Sequence, residues 1–446
     1  MRVFVLIVCL LVCLQAAVIA SDERDVSGGV QKCYLSSVPQ TTAMGKVLLK
    51  YDPAESFFPL GLWATSVPDL KPLHEAGFNT IAVAGMDARA LEEPKGRIEL
   101  VRKLAASRIQ LIPAYVPGAD ALRALVNERS ILAYLAIDEP NRFVYSKDDP
   151  IEPAYQQILV QRRRVRSIDP NRGVYINLVA RHWLVADPLE VAWWYVFNET
   201  GYITSTDCYE IYDEKSNMKD VARSVADQVL INQDRAPVWF IAPGHKDKRV
   251  PPHPDNAFPT PRQLRSAIYT AVTHGATGIM IFKLNEASWM LHPGIGPDTS
   301  PNGYTAAGRK LADEQGMVVT EQDAALSREL WKTASLINTE LTSLKKVVLS
   351  PTSPVDYRIF VSGPKTEVDL PIRTLLKKVD GKFYLFAVNI ESAEYKTRFE
   401  LPAELKGVRD LSVMYGSSRG TASASGVSIS DTFEPLGVRV YRFAAE

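Results

Sequence analysis

From Phe57 onward the chain repeats one pattern: a short apolar run, a polar turn, and a stretch whose apolar residues recur at helical spacing. Eight apolar runs stand out, beginning at Gly61, Thr80, Gln110, Ile131, Gly173, Tyr202, Pro237 and Gly278. Each run is nearly continuous in apolar residues, which is typical of parallel strands covered on both faces. The alternation predicts an α/β fold in which crossover helices connect parallel strands.

Eight strands within about 230 residues favour a closed (β/α)8 TIM barrel over an open doubly wound sheet. No glycine-rich dinucleotide motif follows the first strand, which argues against a Rossmann fold. The helix signals are consistent with this reading. Thr260 and Pro261 occupy an N-cap and a first-turn position, and Gly77 and Gly275 stand where C-capping glycines belong.

The pattern changes at the helix-breaking sequence SPTSP, residues 350–354. Beyond it, short alternating runs such as YRIFVSG and KFYLFAVNI are separated by turn residues, as in an antiparallel sandwich. We therefore predict a (β/α)8 barrel over residues 55–350 and a small all-β sandwich over 355–446. Residues 21–54, polar and then weakly alternating, form a separate N-terminal segment with some β character.

The first 20 residues predict export. Arg2 precedes a long apolar run, and small residues follow before Ser21, as in a secretory signal peptide. Cleavage there predicts a secreted, periplasmic or cell-surface protein with no integral membrane span. An uncleaved anchor is the alternative, because the run is close to the length that crosses a bilayer.

Charge and cysteine content narrow the function classes. Lysine plus arginine and aspartate plus glutamate each total 51, so the chain has no electrostatic footprint for nucleic acid. The six histidines are scattered without a zinc-binding spacing, and we expect neither a metal nor a cofactor. Behind the leader, Cys33 and Cys208 form either one disulfide or two thiols. The oligomeric state is left open.

The active site of a TIM barrel lies at the C-terminal ends of its strands. Strand four runs into Asp138 and Glu139, strand six ends at Asp207, and Glu286 follows strand eight. Paired carboxyl groups are what glycosidic cleavage requires, because one protonates the leaving oxygen and the other activates water or attacks the sugar. These four residues are the catalytic candidates.

Other side chains near the strand ends suit a sugar, since aromatic rings match the apolar faces of pyranoses and amides or imidazoles bind hydroxyl groups. For each aromatic residue, packing in the core is the alternative role. The candidates for substrate binding are Trp63, Tyr115, Asn177, Tyr209, Trp239, His245 and Trp289.

Several segments carry a family resemblance. FFPLGLWAT followed by LKPLHEAGFNTIAV resembles the opening of beta-galactosidase-like glycosidase barrels of the 4/7 superfamily. ILAYLAIDEP resembles their fourth strand, STDCY their sixth, and TPRQLRSAIYTAVTHGATGIMIF their passage into the eighth. The likeness covers most of residues 55 to 290. It implies that Glu139 is the general acid, or acid/base, and that Asp138 orients Glu139 or binds a sugar hydroxyl.

The sequence departs from that family at strand seven. Retaining members place their nucleophilic glutamate at its end, but PVWFIAPGH contains no carboxylate. Asp207 is the first candidate for the second carboxylate, with Glu286 and Glu210 behind it. A retaining, an inverting and an acetamido-assisted mechanism all stay open.

These observations predict a glycoside hydrolase that acts on a poly- or oligosaccharide. The alternative is a non-catalytic carbohydrate-binding barrel that has lost the strand-seven nucleophile. A metal-hydrolase or aldolase barrel lacks the necessary ligand or lysine pattern.

Overall fold

The structure is a computed structural model that describes residues 30–32, 57–64, 67–84, 86–145, 151–170, 172–180, 188–209, 218–232, 236–246, 258–285, 294–297, 320–350, 352–353, 355–365, 368, 370–416 and 422–445. The strands of its first part are β1 (Val30–Lys32), β2 (Leu60–Ala64), β3 (Thr80–Val83), β4 (Gln110–Pro113), β5 (Tyr134–Asp138), β6 (Val174–Val179), β7 (Ile203–Asp207), β8 (Val238–Pro243) and β9 (Ile279–Phe282). The helices are α1 (Leu70–Glu75), α2 (Pro94–Ser107), α3 (Ala119–Leu125), α4 (Ile151–Ile168), α5 (Pro188–Thr200), α6 (Met218–Asn232), α7 (Pro261–Thr273) and α8 (Glu321–Val348), with 3-10 turns at Met86–Leu91 and Pro140–Tyr145.

Strands β2 to β9 form one parallel eight-stranded sheet in the order β4-β3-β2-β9-β8-β7-β6-β5. A parallel bridge between Leu111 and Ile131 brings the two ends of the sheet together, so the barrel is nearly closed. The strands are almost wholly buried, because they face the barrel interior on one side and the helices on the other. The predicted TIM barrel is confirmed.

The predicted helix boundaries are also confirmed. Thr260 and Gln263 form a reciprocal capping box at the start of α7, which satisfies backbone N–H groups that the first helical turn leaves open. Gly77 and Gly275 have φ values of +78° and +102°. Glycine reaches this left-handed region without the steric cost that a Cβ atom imposes.

The C-terminal part contains β10 (Arg358–Ser362), β11 (Ile372–Val379), β12 (Lys382–Asn389), β13 (Tyr395–Glu400), β14 (Val408–Gly416), β15 (Ser423–Ser425), β16 (Ser428–Phe433) and β17 (Val438–Ala445). They form two antiparallel sheets, ordered β1-β10-β13-β16-β15 and β11-β12-β17-β14. An apolar core fills the space between the sheets. The predicted small all-β unit is confirmed, and β1 pairs with its edge strand β10.

The four-stranded sheet packs on the barrel helices α7 and α8. Leu375, Phe386 and Val440 of this sheet belong to the same apolar cluster as the barrel core. A two-bonded ion pair between Arg265 and Glu340, at 3.2 and 2.8 Å, joins α7 to α8 beside this contact. Among the helices described, none is both long and apolar enough to cross a membrane.

Candidate active site

Glu139 stands at a sharp turn immediately after β5, the fourth barrel strand. Its φ is +48°, a left-handed conformation that costs a residue with a Cβ atom about 1–2 kcal/mol. Its backbone N–H donates to the carbonyl of Asn177 on the neighbouring β6, at 3.1 Å. Its Oε2 atom accepts a hydrogen bond from Arg142 at 3.0 Å. The strand end therefore holds Glu139 at the C-terminal mouth of the barrel.

Asn177 of β6 connects the acidic residues of the two strands beside it, β5 and β7. Its Nδ2 atom donates to Oδ1 of Asp138 at 3.0 Å and to Oδ2 of Asp207 at 3.3 Å. Asp138 is the register partner of Asn177, and Asp207 ends the next strand, β7. The structure thus brings together four of the predicted site residues: Asp138, Glu139, Asn177 and Asp207.

Asp207 and Glu139 lie with their carboxyl groups in hydrogen-bond contact. Asp207 is 6% exposed, and burial, with the charges of Glu139 and Asp138, raises its pKa well above the usual value. The neutral form of Asp207 can donate a hydrogen bond to Glu139, which the ionised form cannot, and this favours the neutral form of Asp207.

Asp138 remains open to solvent at the barrel mouth, although protein atoms surround its carboxyl group closely. This desolvation, together with the charge of Glu139, raises the pKa of Asp138 to about 7, against the opposing effects of Asn177 and Arg142. A carboxyl group with a pKa near neutrality exchanges protons readily at that pH, as acid–base catalysis requires.

Two residues that the sequence reading did not select hold Asn177 in place. The Ser205 hydroxyl donates to Oδ1 of Asn177 at 2.8 Å, and the Tyr175 hydroxyl lies 2.5 Å from that of Ser205. Both side chains are fully buried. The sequence contained a signal for them: Tyr175 and Ser205 each stand two residues before a selected residue, and such neighbours in a strand face the same side.

An aromatic cluster lies beside this site. Tyr209, just beyond β7, stacks on Phe282 of β9 with ring centroids 5.8 Å apart. His245 contacts both rings edge-on, at 5.0 and 4.9 Å, and its Nδ1 atom lies 3.1 Å from the Phe282 carbonyl. His245 is fully buried, whereas Tyr209 is partly exposed. Tyr209 is therefore the partly exposed member of this cluster, while His245 packs against its ring from the buried side.

The structure places the other aromatic candidates differently. Trp239 is fully buried near the start of β8, with its ring 5.4 Å from Tyr175 and against Gly278, so it packs inside the barrel. Trp63 is nearly buried in β2, and its Nε1 atom has no acceptor among the described residues. Tyr115 follows β4 and is half-buried, and burial with the charge of Glu92 raises its pKa.

Some predictions fall on residues that the structure leaves undescribed. Glu286, Trp289, Glu210 and Cys33 lie outside the described residues, so their roles stay predictions, as does the state of the buried Cys208. The end of β8, the seventh barrel strand, reads Pro243, Gly244, His245 and brings no carboxylate to the site. Within the described ranges, no three acidic, histidine or cysteine side chains form a metal-binding group.

No family model matches the sequence, and no curated protein matches it at a significant level. Solved structures do match. A glycoside hydrolase has a TM-score of 0.52 at 11% identity, covering 88% of this chain and 94% of its own. A glycoside hydrolase family 5 protein from Bacteroides vulgatus has a TM-score of 0.51 at 12% identity, covering 88% and 90%.

A third match, a family 30 endoxylanase from Clostridium papyrosolvens, covers 87% of this chain and 97% of its own at 12% identity, but its TM-score of 0.43 supports no inference. The two better matches span both the barrel and the sandwich. At such low identity they establish the fold alone, which is a glycoside-hydrolase-like TIM barrel followed by a small β-domain.

Proposed function

We propose that this chain is a glycoside hydrolase that cleaves O-glycosidic bonds of a poly- or oligosaccharide. The observation that carries the proposal is the meeting of three carboxyl groups, Asp138, Glu139 and Asp207, around Asn177 at the barrel mouth. That end is where TIM-barrel enzymes hold their catalytic residues. The partly exposed ring of Tyr209 adds an apolar surface beside them.

Glu139 is the residue that we propose contacts the substrate. Its side chain is 23% exposed, whereas Asp207 lies deeper. In the proposed step a proton held by Asp207 passes through Glu139 to the glycosidic oxygen. The bond from that oxygen to the anomeric carbon then breaks, water adds to the carbon, and the proton that water releases returns to Asp207. We assign Asp207 this proton-holding role because it is buried beside Glu139 at the barrel mouth.

The second reacting group is therefore the acetamido group of a substrate or a carboxylate such as Glu286. Aryl glycosides with and without a 2-acetamido group separate these routes. Assistance by the substrate confines turnover to the acetamido sugars and retains the anomeric configuration, which NMR of the first product detects.

The central test is Glu139→Gln, which keeps the size of the side chain and removes its acidity. We expect turnover of aryl glycosides to fall by about 10²- to 10⁴-fold, the usual contribution of a positioned general acid. Glu128→Gln is the matched control, since Glu128 lies in the loop before β5 at the opposite end of the barrel. Unchanged turnover in Glu139→Gln removes Glu139 from the mechanism.

A carbohydrate-binding barrel without activity is the second candidate, and the absence of a carboxylate at the end of β8 favours it. Wild-type protein that binds glycans in a panel but hydrolyses none of them would support this candidate. We also propose that the protein is exported, on the strength of the apolar leader in residues 1–20.

A further inference from the structure

The hydrogen bonds around Asn177 run in one direction only. The Ser205 hydroxyl donates its hydrogen to Oδ1 of Asn177. Because a hydroxyl group has one hydrogen, the Tyr175 hydroxyl must be the donor in its 2.5 Å contact with Ser205. The two hydrogens of the Asn177 amide then go to Asp138 and Asp207. Each hydrogen in this series of donors takes part in one hydrogen bond, and the series ends at the carboxyl groups of Asp138 and Asp207.

This direction determines which oxygen of Asp207 is free to carry a proton. Oδ2 accepts from Asn177, and this leaves Oδ1, an atom without a donor among the described residues. If the amide were turned over, its oxygen would face both Asp138 and Asp207. It would then accept the proton of Asp207 and compete with Glu139 for it. Tyr175 opposes this flip. In the flipped arrangement Ser205 would accept from the NH2 group and donate to Tyr175, and the buried Tyr175 hydroxyl would lose its one acceptor among the described residues.

We propose that Tyr175 and Ser205 form a positioning relay, which fixes the Asn177 amide and so directs a proton on Asp207 toward Glu139. Neither hydroxyl touches a substrate, since both are buried under the site. The inference about proton delivery rests on the proposed function, but the orientation of the amide does not.

The charged groups that face Asn177 are few. Asp138, Glu139 and Arg142 come from β5 and the turn after it, Asp207 comes from β7, and Tyr175 comes from β6. The Asn177 amide, the Arg142 guanidinium and the backbone N–H of Glu139 favour the ionised form of Asp138. Loss of the Asn177 donor therefore changes the titration of Asp138 directly.

The test is an NMR titration of protein labelled with ¹³C at the aspartate carboxyl groups, in which Asp138→Asn identifies the Asp138 signal. Ser205→Ala removes the donor to Asn177, and Tyr175→Phe removes only the donor to Ser205. Ser205→Thr keeps the hydroxyl group. Ser224→Ala is the matched control, because Ser224 of α6 is equally buried and its hydroxyl has no partner among the described residues.

We expect Ser205→Ala to raise the Asp138 midpoint by about one pH unit, a tenfold change in the protonation equilibrium. Tyr175→Phe should raise it by less, and Ser205→Thr and Ser224→Ala should leave it unchanged. An unchanged Asp138 midpoint in a folded Ser205→Ala variant overturns the relay. If Ser205→Ala does not fold, the Asp138 midpoint of Tyr175→Phe decides the question instead.

Activity distinguishes the two proposals. Where the wild type hydrolyses a glycoside, the limb of its kcat/KM profile that reports Asp138 should move with the Asp138 midpoint in Ser205→Ala. If the wild type hydrolyses none, the proposed function fails, while the titration still decides the relay.

Discussion

At the N-terminal end of the barrel, Asp169 is as deeply buried as Asp207 at the C-terminal end, but its surroundings are different. Oδ2 of Asp169 pairs with the buried Arg172 at 2.5 Å and accepts from Tyr134 at 3.2 Å. Arg172 also donates to backbone carbonyls, including those of Ile131 at 2.8 Å and Leu125 at 2.9 Å. Asp207 has another acid, Glu139, where Asp169 has a guanidinium.

This difference indicates that the Asp169 carboxylate stabilises the fold, whereas the surroundings of the Asp207 carboxyl group favour proton exchange. The Arg172 guanidinium and the Tyr134 hydroxyl compensate the desolvation of Asp169 at its Oδ2 atom, and the loop before β6 is fixed as a result. At the mouth, Asp207 and Asp138 are desolvated beside other acids, which raises the pKa of both. Uncompensated carboxyl groups of this kind are characteristic of functional sites.

The largest effect on stability should come from Arg172→Met. This change leaves the Asp169 carboxylate buried without its cation, and we expect a loss of about 3–5 kcal/mol in the free energy of unfolding. Urea denaturation at neutral pH measures it. Arg142→Met is the matched control at the mouth, because the Arg142 side chain is 63% exposed and its loss should cost under about 1 kcal/mol. Equal losses in the two variants would break the comparison.

A second effect is a pH dependence that Asp138 produces. Its pKa is about 7 in the folded protein and near 3.8 when unperturbed, so folding favours the protonated form. The resulting stabilisation is complete below the lower value and is lost as the pH rises through the higher one. Asp138→Asn should therefore gain stability relative to the wild type between about pH 4 and 7, with no further change above.

Urea midpoints measured across that range test this expectation. Asp410→Asn in the sandwich is the control, because the Asp410 side chain is 77% exposed. A difference between Asp138→Asn and the wild type that stays constant with pH would contradict the raised pKa of Asp138.

The smallest effect concerns an ion pair near the mouth. Lys246, which follows β8, contacts Asp323 of α8 at 2.8 Å, and bonds from Lys246 and Thr320 lower the pKa of Asp323 against the effect of burial. Lys246→Met should cost about 1 kcal/mol at neutral pH, and the cost should shrink as acid protonates Asp323. Lys346→Met, at a pair exposed on both sides, should change stability by less. Equal losses would show that the burial of the Lys246 pair adds nothing.

The sequence alone was sufficient to identify the barrel, its eight strands and the small all-β unit that follows, because each depends on local patterns of apolar residues, turns and caps. It also placed Asp138, Glu139, Asn177 and Asp207 at strand ends, since a strand ends where its apolar run ends. Parallel strands in a barrel bring their C-terminal ends to one rim, so these residues were bound to be neighbours.

Only the tertiary structure decided how those neighbours touch. The contact of Glu139 with Asp207, the donor chain through Ser205 and Tyr175, and the burial of Trp239 join residues on different strands. Their distances depend on the register between strands and on the closure of the barrel, to which residues far apart in the chain contribute together. No local pattern encodes such a distance. A shift of a few ångströms is enough to decide whether a buried carboxyl group lies beside a cation, as Asp169 does, or beside another acid, as Asp207 does.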